Sequence, residues 1–159
     1  MEKKEGVKEM KLANALNERS EIQKRLSELQ VRLNNNAKVQ EGETPNEDPK
    51  DLLNEFDTLT ARLETLIYKI NMTNSLVDIH GISLTELLAR RDVLKLKIGM
   101  LRNFLNTASA KLERYSRTEI KILSTVNVTA MQKNLDALSK ELRETDEAIQ
   151  EANWTNDLR

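Results

Sequence analysis

The sequence predicts an all-α protein: an antiparallel up-down four-helix bundle, with room for a short two-stranded β ribbon capping one end. Three observations carry this. Apolar residues recur at alternating three- and four-residue intervals in four separate stretches, the spacing that lines them up on one stripe of a helix. Only 4 glycines and 2 prolines occur in 159 residues, and aromatics make up 3%, a composition of long helices rather than sheets. Hydrophobic residues are 38% and charged residues 32%, which raises disorder as a competitor. A disordered chain, however, has no cause to space its leucines so regularly.

The first helix is expected over residues 8–34, on a seam of Leu12, Ala15, Arg19, Ile22, Leu26, Leu29 and Leu33. Asn34, Asn35 and Asn36 end it, because asparagine tolerates left-handed backbone and competes for the last carbonyls. The second opens near Lys50, after Pro45 and Pro49, and runs along Leu52, Phe56, Leu59, Leu63, Leu66 and Ile70. It fades into the polar residues 71–74. The third starts from the capping box Ser83-Leu84-Thr85-Glu86, in which a serine hydroxyl takes an orphan amide and a glutamate reaches back. Its seam is Leu87, Arg91, Leu94, Ile98, Leu101, Leu105, Ala108 and Leu112. The fourth begins near Asn127 or Thr129, on Val128, Met131, Leu135, Leu138, Leu142, Thr145, Ile149 and Ala152.

Helices of about 24 residues span about 36 Å, and sustained heptads favour packing near 20°. The competing architecture is a long coiled-coil oligomer, which uses the same pattern. The chain reads as one domain, residues 1–159, with residues 1–9 as an N-terminal extension. Two connections, 34–49 and 113–126, exceed the 2–8 residues or so that helix links need. Ile120, Ile122 and Val126 alternate with polar residues, a strand-like period. Residues 37–40 are a weaker strand candidate, and the two could pair as the capping ribbon.

Composition narrows the function. Net charge is −1, which points away from nucleic acid and anionic membrane surfaces as partners. Without cysteine, thiolate metal sites and disulfides are excluded. No apolar run approaches the roughly 18 residues of a membrane span, and the N-terminus lacks the apolar core of a secretory signal. A cytoplasmic location is the expectation.

Two groups of residues are candidates for chemistry. Arg19 and Arg91 stand where the heptads call for apolar residues, and Thr145 interrupts the fourth seam. Buried guanidinium groups require carboxylates, carbonyls or an anion, so these three suit a buried anion site or a polar layer that fixes register. The second group lies on the long loops: Gln40, Glu41, Glu43, Glu47 and Asp48 on one, Arg114, Tyr115, Arg117, Glu119 and Lys121 on the other. Carboxylates beside arginine and tyrosine suit acid–base work or cation binding. The competing reading is a set of solvated, salt-bridged loop ends. His80, the single histidine, sits in a turn and makes a poor metal site. Trp154, the single tryptophan, lies just past the fourth helix, as an anchor by packing. No phosphate loop, nucleophile elbow or zinc signature occurs. No catalytic residue, metal or cofactor is therefore assigned.

Five stretches together resemble the septicolysin-like family of small bacterial helical proteins: MKLANAL at 10–16, NAKVQEGETPNEDP at 36–49, INMTNS at 70–75, RYSRTEIKILSTVNV at 114–128 and QEANWTNDL at 150–158. The likeness starts at Met10, which makes Met10 an alternative initiator. The family label implies a cytolysin, and the resemblance carries over no catalytic residue. The amphipathic faces argue otherwise, since they lack the Trp- and Lys-rich pattern of membrane-active helices. The leading expectation is a non-enzymatic, self-associating interaction protein. Its support is an apolar set off the main seams: Leu16, Leu53, Ile67, Leu84 and Leu88. A ligand or enzyme site at the loop end is the alternative.

Overall fold

The computed structural model describes residues 9–110 and 120–159. It is dominated by four helices: α1 (Leu12–Asn35), α2 (Pro49–Leu76), α3 (Leu84–Ser109) and α4 (Val128–Thr155). Two short strands, β1 (Asp78–Ile79) and β2 (Ile82–Ser83), form a hairpin between α2 and α3. The chain divides into two compact units. One holds Met1–Asp78 with Ala152–Arg159, the other Ile79–Glu151.

In the first unit α1 and α2 pack side by side. Leu12, Ala15, Ile22 and Leu29 of α1 are buried, as are Leu52, Leu59, Leu66, Ile70 and Thr73 of α2. Leu52, Leu59, Leu66 and Thr73 recur every seventh residue, so one line of α2 stays inside along its length. The two helices run in opposite directions, because their cross-helix ion pairs descend one as they climb the other. Glu18 meets Arg62, Arg25 meets Glu55, and Arg32 meets Glu55 and Glu47.

Caps set most of the helix starts. Asp48 Oδ1 accepts from the Lys50 N–H at 2.9 Å, ahead of Pro49 at the first helical position, where a proline loses no hydrogen bond. Ser83 Oγ accepts from the Glu86 N–H at 3.1 Å, which is the expected serine cap of α3. Asn127 Oδ1 accepts from the Ala130 N–H at 2.9 Å at the head of α4.

The first helix starts later than its heptads suggest. Lys11 is extended and makes an isolated antiparallel bridge with Asp157. The Leu12 N–H donates to the Asn156 carbonyl (2.9 Å) and the Leu158 N–H to the Met10 carbonyl (2.7 Å). Lys11 Nζ also lies 2.7 Å from Asp157 Oδ1. These bonds to the chain's last residues compete with a further helical turn. The second helix, conversely, runs past residues 71–74 to Leu76. Thr73 makes this possible: it is fully buried, its hydroxyl donates to the Lys69 carbonyl (2.8 Å) and accepts from the Arg159 N–H (2.9 Å). A polar side chain with both capacities used can sit in a core.

The two-stranded ribbon exists, but elsewhere than expected. Residues 37–40 are not a strand, nor are 120–126, since a period of two alone supplies no partner for the backbone. The ribbon is the β1–β2 hairpin instead. Its two central residues, His80 and Gly81, have φ of 54° and 90°, as a tight primed turn demands.

The second unit packs α3 on α4. Ile98 and Leu105 of α3 and Leu135 of α4 are buried together, with Leu101, Val128, Met131, Leu138 and Leu142 packed around them. Each of these lies on the seam read from the sequence.

Three substitutions test this packing. Leu66→Ala should cost about 2–5 kcal/mol through lost burial and a cavity. Thr73→Val should cost about 1–3 kcal/mol by leaving the Arg159 N–H without its acceptor. Leu53→Ala, at an exposed position, should cost no more than about 0.5 kcal/mol. Urea denaturation measures all three, and equal losses at Leu53 and Leu66 would contradict the seam.

Candidate functional site

The segment between α1 and α2 is irregular yet fastened at both ends. Asn36 is buried, and its amide is used twice: Nδ2 donates to the Arg32 carbonyl (2.9 Å) and Oδ1 accepts from the Glu47 N–H (3.0 Å). The asparagine that ends the helix therefore also pins the far side of the loop. Between these points the chain reverses, with the Glu43 N–H donating to the Gln40 carbonyl at 3.0 Å. Gly42 takes a φ of 87° there, which costs glycine nothing because it has no Cβ. A cleft of about 470 Å³ opens beside this turn, lined by Asn36, Lys38, Gln40, Glu43, Thr44 and Asn46 among others. It offers an ammonium, a carboxylate, several amides and a hydroxyl, and so suits a small polar molecule.

The expected loop residues part company here. Gln40 and Glu43 line the cleft, and Glu41 is exposed. Glu47 turns back to Arg32, whose Nε donates to both of its oxygens at 3.1 and 3.2 Å. Asp48 is the cap of α2. Arg114, Tyr115, Arg117 and Glu119 lie outside the described residues. Lys121 is exposed.

Arg19 is half-buried on α1 in the first unit. Arg91 and Thr145 belong to the second. Arg91 is half-buried and its Nε donates to Asp92 at 3.0 Å, so the neighbouring carboxylate answers its charge. Thr145 is buried. His80 is exposed in the hairpin turn, and Trp154 is exposed within the last turn of α4 rather than beyond it. Among the described residues, no three His, Cys, Asp or Glu side chains are grouped to hold a metal ion. Nor is any helix among them long and apolar enough to cross a membrane.

The α1–α2 ion pairs set the local electrostatics. Arg62 holds Glu18 in a fork, Nε to Oε1 at 2.6 Å and Nη2 to Oε2 at 2.8 Å. Those hydrogen bonds lower the Glu18 carboxyl below its ordinary range against an opposing desolvation, and raise the Arg62 guanidinium. Arg32 does the same for Glu47 through its hydrogen bonds. Glu55 is lowered chiefly by its hydrogen bond from Arg25, with Arg32 adding charge.

Two apolar faces stand open to solvent. On α2, Leu53, Phe56 and Ile67 are 50%, 41% and 39% exposed. Phe56 was expected on the core seam. It stays outside because α1 covers only the line through Leu52, Leu59 and Leu66. On α3, Val93, Leu96, Met100 and Phe104 are 62%, 64%, 65% and 46% exposed. At 100° per residue these four fall within one arc, well away from the buried seam of Leu87, Leu94, Ile98 and Leu105. The 3–4 spacing of Val93, Leu96, Met100 and Phe104 is visible in the sequence once the seam residues are set aside. At its end a groove of about 380 Å³ is lined by Phe104, Thr107, Ala108, Ile122 and Leu123, among others. The off-seam set divides: Leu53 and Ile67 are exposed, Leu16 and Leu88 half-buried, and Leu84 fully buried.

Comparison with known proteins follows the same lines. A family model described as a family of unknown function (DUF6847) matches residues 19–158. A crystal structure described as a functionally unknown conserved protein from Corynebacterium diphtheriae is similar, with 39% identity and a TM-score of 0.84. That likeness covers 95% of this chain and 99% of that one. No curated protein matches the chain.

The lowered carboxyls make a pH prediction. A group whose pKa falls on folding contributes stability above its unfolded value and loses it as pH drops through the folded one. Melting temperature should therefore hold steady down to about pH 5 and fall below the ordinary glutamate value of about 4.3. A variant carrying Glu18→Gln, Glu47→Gln and Glu55→Gln should show a shallower acid limb. An unchanged limb in thermal melts would remove these pairs as its source.

Proposed function

The chain belongs to the family of unknown function DUF6847, and we propose that it works as a non-enzymatic helical interaction protein that associates with copies of itself. One observation carries the reading: α3 bears a second apolar stripe opposite its buried seam, and within its own unit the described residues leave that stripe exposed. Large exposed apolar patches on folded proteins mark contact surfaces, because leaving them in water forgoes the burial that drives association. The exposed face of α2 and the groove at the end of α3 add to the apolar area.

A second reading has its own observation. The cleft at residues 36–46 gathers Lys38, Gln40 and Glu43 around a space large enough for a small polar ligand. Amide chemical shifts of residues 36–47, followed during titration with small carboxylates, phosphates and divalent cations, test it. Shifts that stay put throughout would remove the cleft as a ligand site.

Self-association should appear in sedimentation-velocity runs as a concentration-dependent rise in weight-average mass across the micromolar range. It should survive high salt, since apolar burial is not screened by ions. A monomer at every concentration would end this reading.

A further inference from the structure

Along the α1–α2 loop, polar groups fall into two sets, those spent within the chain and those left open. At the stem, Arg32 and Glu47 close an ion pair, Asn36 uses both ends of its amide, and Asp48 caps α2. On the cleft wall the opposite holds. Among the described residues, the side chains of Asn35, Lys38, Gln40, Glu43, Thr44 and Asn46 make no hydrogen bond or ion pair with the chain. Lys38 and Glu43 are opposite in charge and line the same cleft, yet they do not join each other.

The backbone behind that wall is held in place. The Asn36 amide ties its start to Glu47, a bond of 3.0 Å closes the turn from Gln40 to Glu43, and Pro45 fixes its own φ. A backbone ordered beforehand has little freedom left to lose when a ligand arrives. The cleft's volume of about 470 Å³ lies within the roughly 300–1,000 Å³ of small-molecule sites.

The charges on the wall narrow the class of ligand. Lys38 and Glu43 are the two ionised groups that line the cleft; Glu41 and Lys50 are exposed but off the wall. A calcium or magnesium ion needs an octahedron or more of oxygens, largely from carboxylates, and a single glutamate falls short. A phosphate would answer Lys38 but set its remaining charge against Glu43, a like-charge contact that opposes binding. A simple carboxylate or amine answers one group and leaves the other uncompensated.

We infer that the cleft takes a small zwitterion of the free α-amino acid class, its carboxylate on Lys38 and its ammonium on Glu43. The inference rests on the reading of the cleft as a ligand site and names what that site binds. Gln40 and Asn46 supply donors and acceptors beside the charged ends, and Val39, 48% exposed on the same wall, offers an apolar surface to the amino acid's side chain. Charge-assisted hydrogen bonds at both ends are the stronger kind. The wall is open to solvent, however, so affinity should be about millimolar and fall as salt rises.

Amide chemical shifts of residues 36–47 in the full chain test the assignment. The probes are L-alanine and L-glutamine, with acetate, methylammonium, inorganic phosphate and magnesium compared at matched ionic strength. The amino acids should shift these amides saturably, and each of the other four should bind at least about tenfold more weakly. Lys38→Gln and Glu43→Gln, both folded by circular dichroism, should each weaken amino-acid binding by about tenfold. Glu41→Gln should leave it unchanged. If acetate, phosphate or magnesium binds as tightly as the amino acids, or if Lys38→Gln or Glu43→Gln has no effect, the zwitterion assignment is wrong and a ligand site of another class stands. If no probe moves these amides, both fall.

Discussion

A helix lying along one neighbour can hide only about a third of its circumference, and this molecule's layout follows from that limit. On α2 the hidden line is Leu52, Leu59, Leu66 and Thr73, with α1 pressed against it. Glu55 and Arg62, on one flank of that line, reach α1 partners. Phe56 and Ile67, on the other flank, reach none. On α3 the seam toward α4 leaves the opposite side free, and there the chain has placed valine, leucine, methionine and phenylalanine rather than lysine and glutamate. Packing among the described residues of each unit thus accounts for one stripe on α2 and one on α3 and leaves a second on each open.

The flanking ion pairs govern register more than strength. Solvent screens such pairs and side-chain ordering offsets most of their attraction. Their value lies in geometry: Glu18–Arg62 and Arg25–Glu55 satisfy each other in only one sliding position of α1 along α2. A heptad seam by itself is compatible with slips of seven residues, since leucine meets leucine again. The pairs break that degeneracy, and Asn36 adds to it by tying the α1 terminus to Glu47.

How much of this was legible in the sequence depends on what decides each feature. The seams of α1, α3 and α4 were readable because a residue's place on a helix face depends only on its position along the chain. The Ser83 cap was readable for the same local reason. Phe56 was not, because periodicity says which residues share a face and not whether a neighbour covers it. The ribbon was misplaced because alternation at Ile120 and Ile122 looks the same in a strand and in extended coil. The decisive signal lay instead in His80-Gly81, two residues able to take positive φ between β-branched neighbours. Of the loop cluster, Asp48 and Glu47 proved to be spent on a cap and an ion pair. Both roles depend on partners that only the folded chain brings near.

The bonds that fasten Asn156, Leu158 and Arg159 to Met10, Leu12 and Thr73 carry a consequence for the order of events on the ribosome. Chains emerge N-terminus first, and domains ordinarily fold as they appear. Here α1 and α2 leave the exit tunnel long before the residues that complete their unit, for Ala152–Arg159 are translated after the whole of the second unit. Until then Thr73 lacks the amide that its hydroxyl accepts, and Leu12 an acceptor for its N–H. The helical pair made first is therefore the last to be finished.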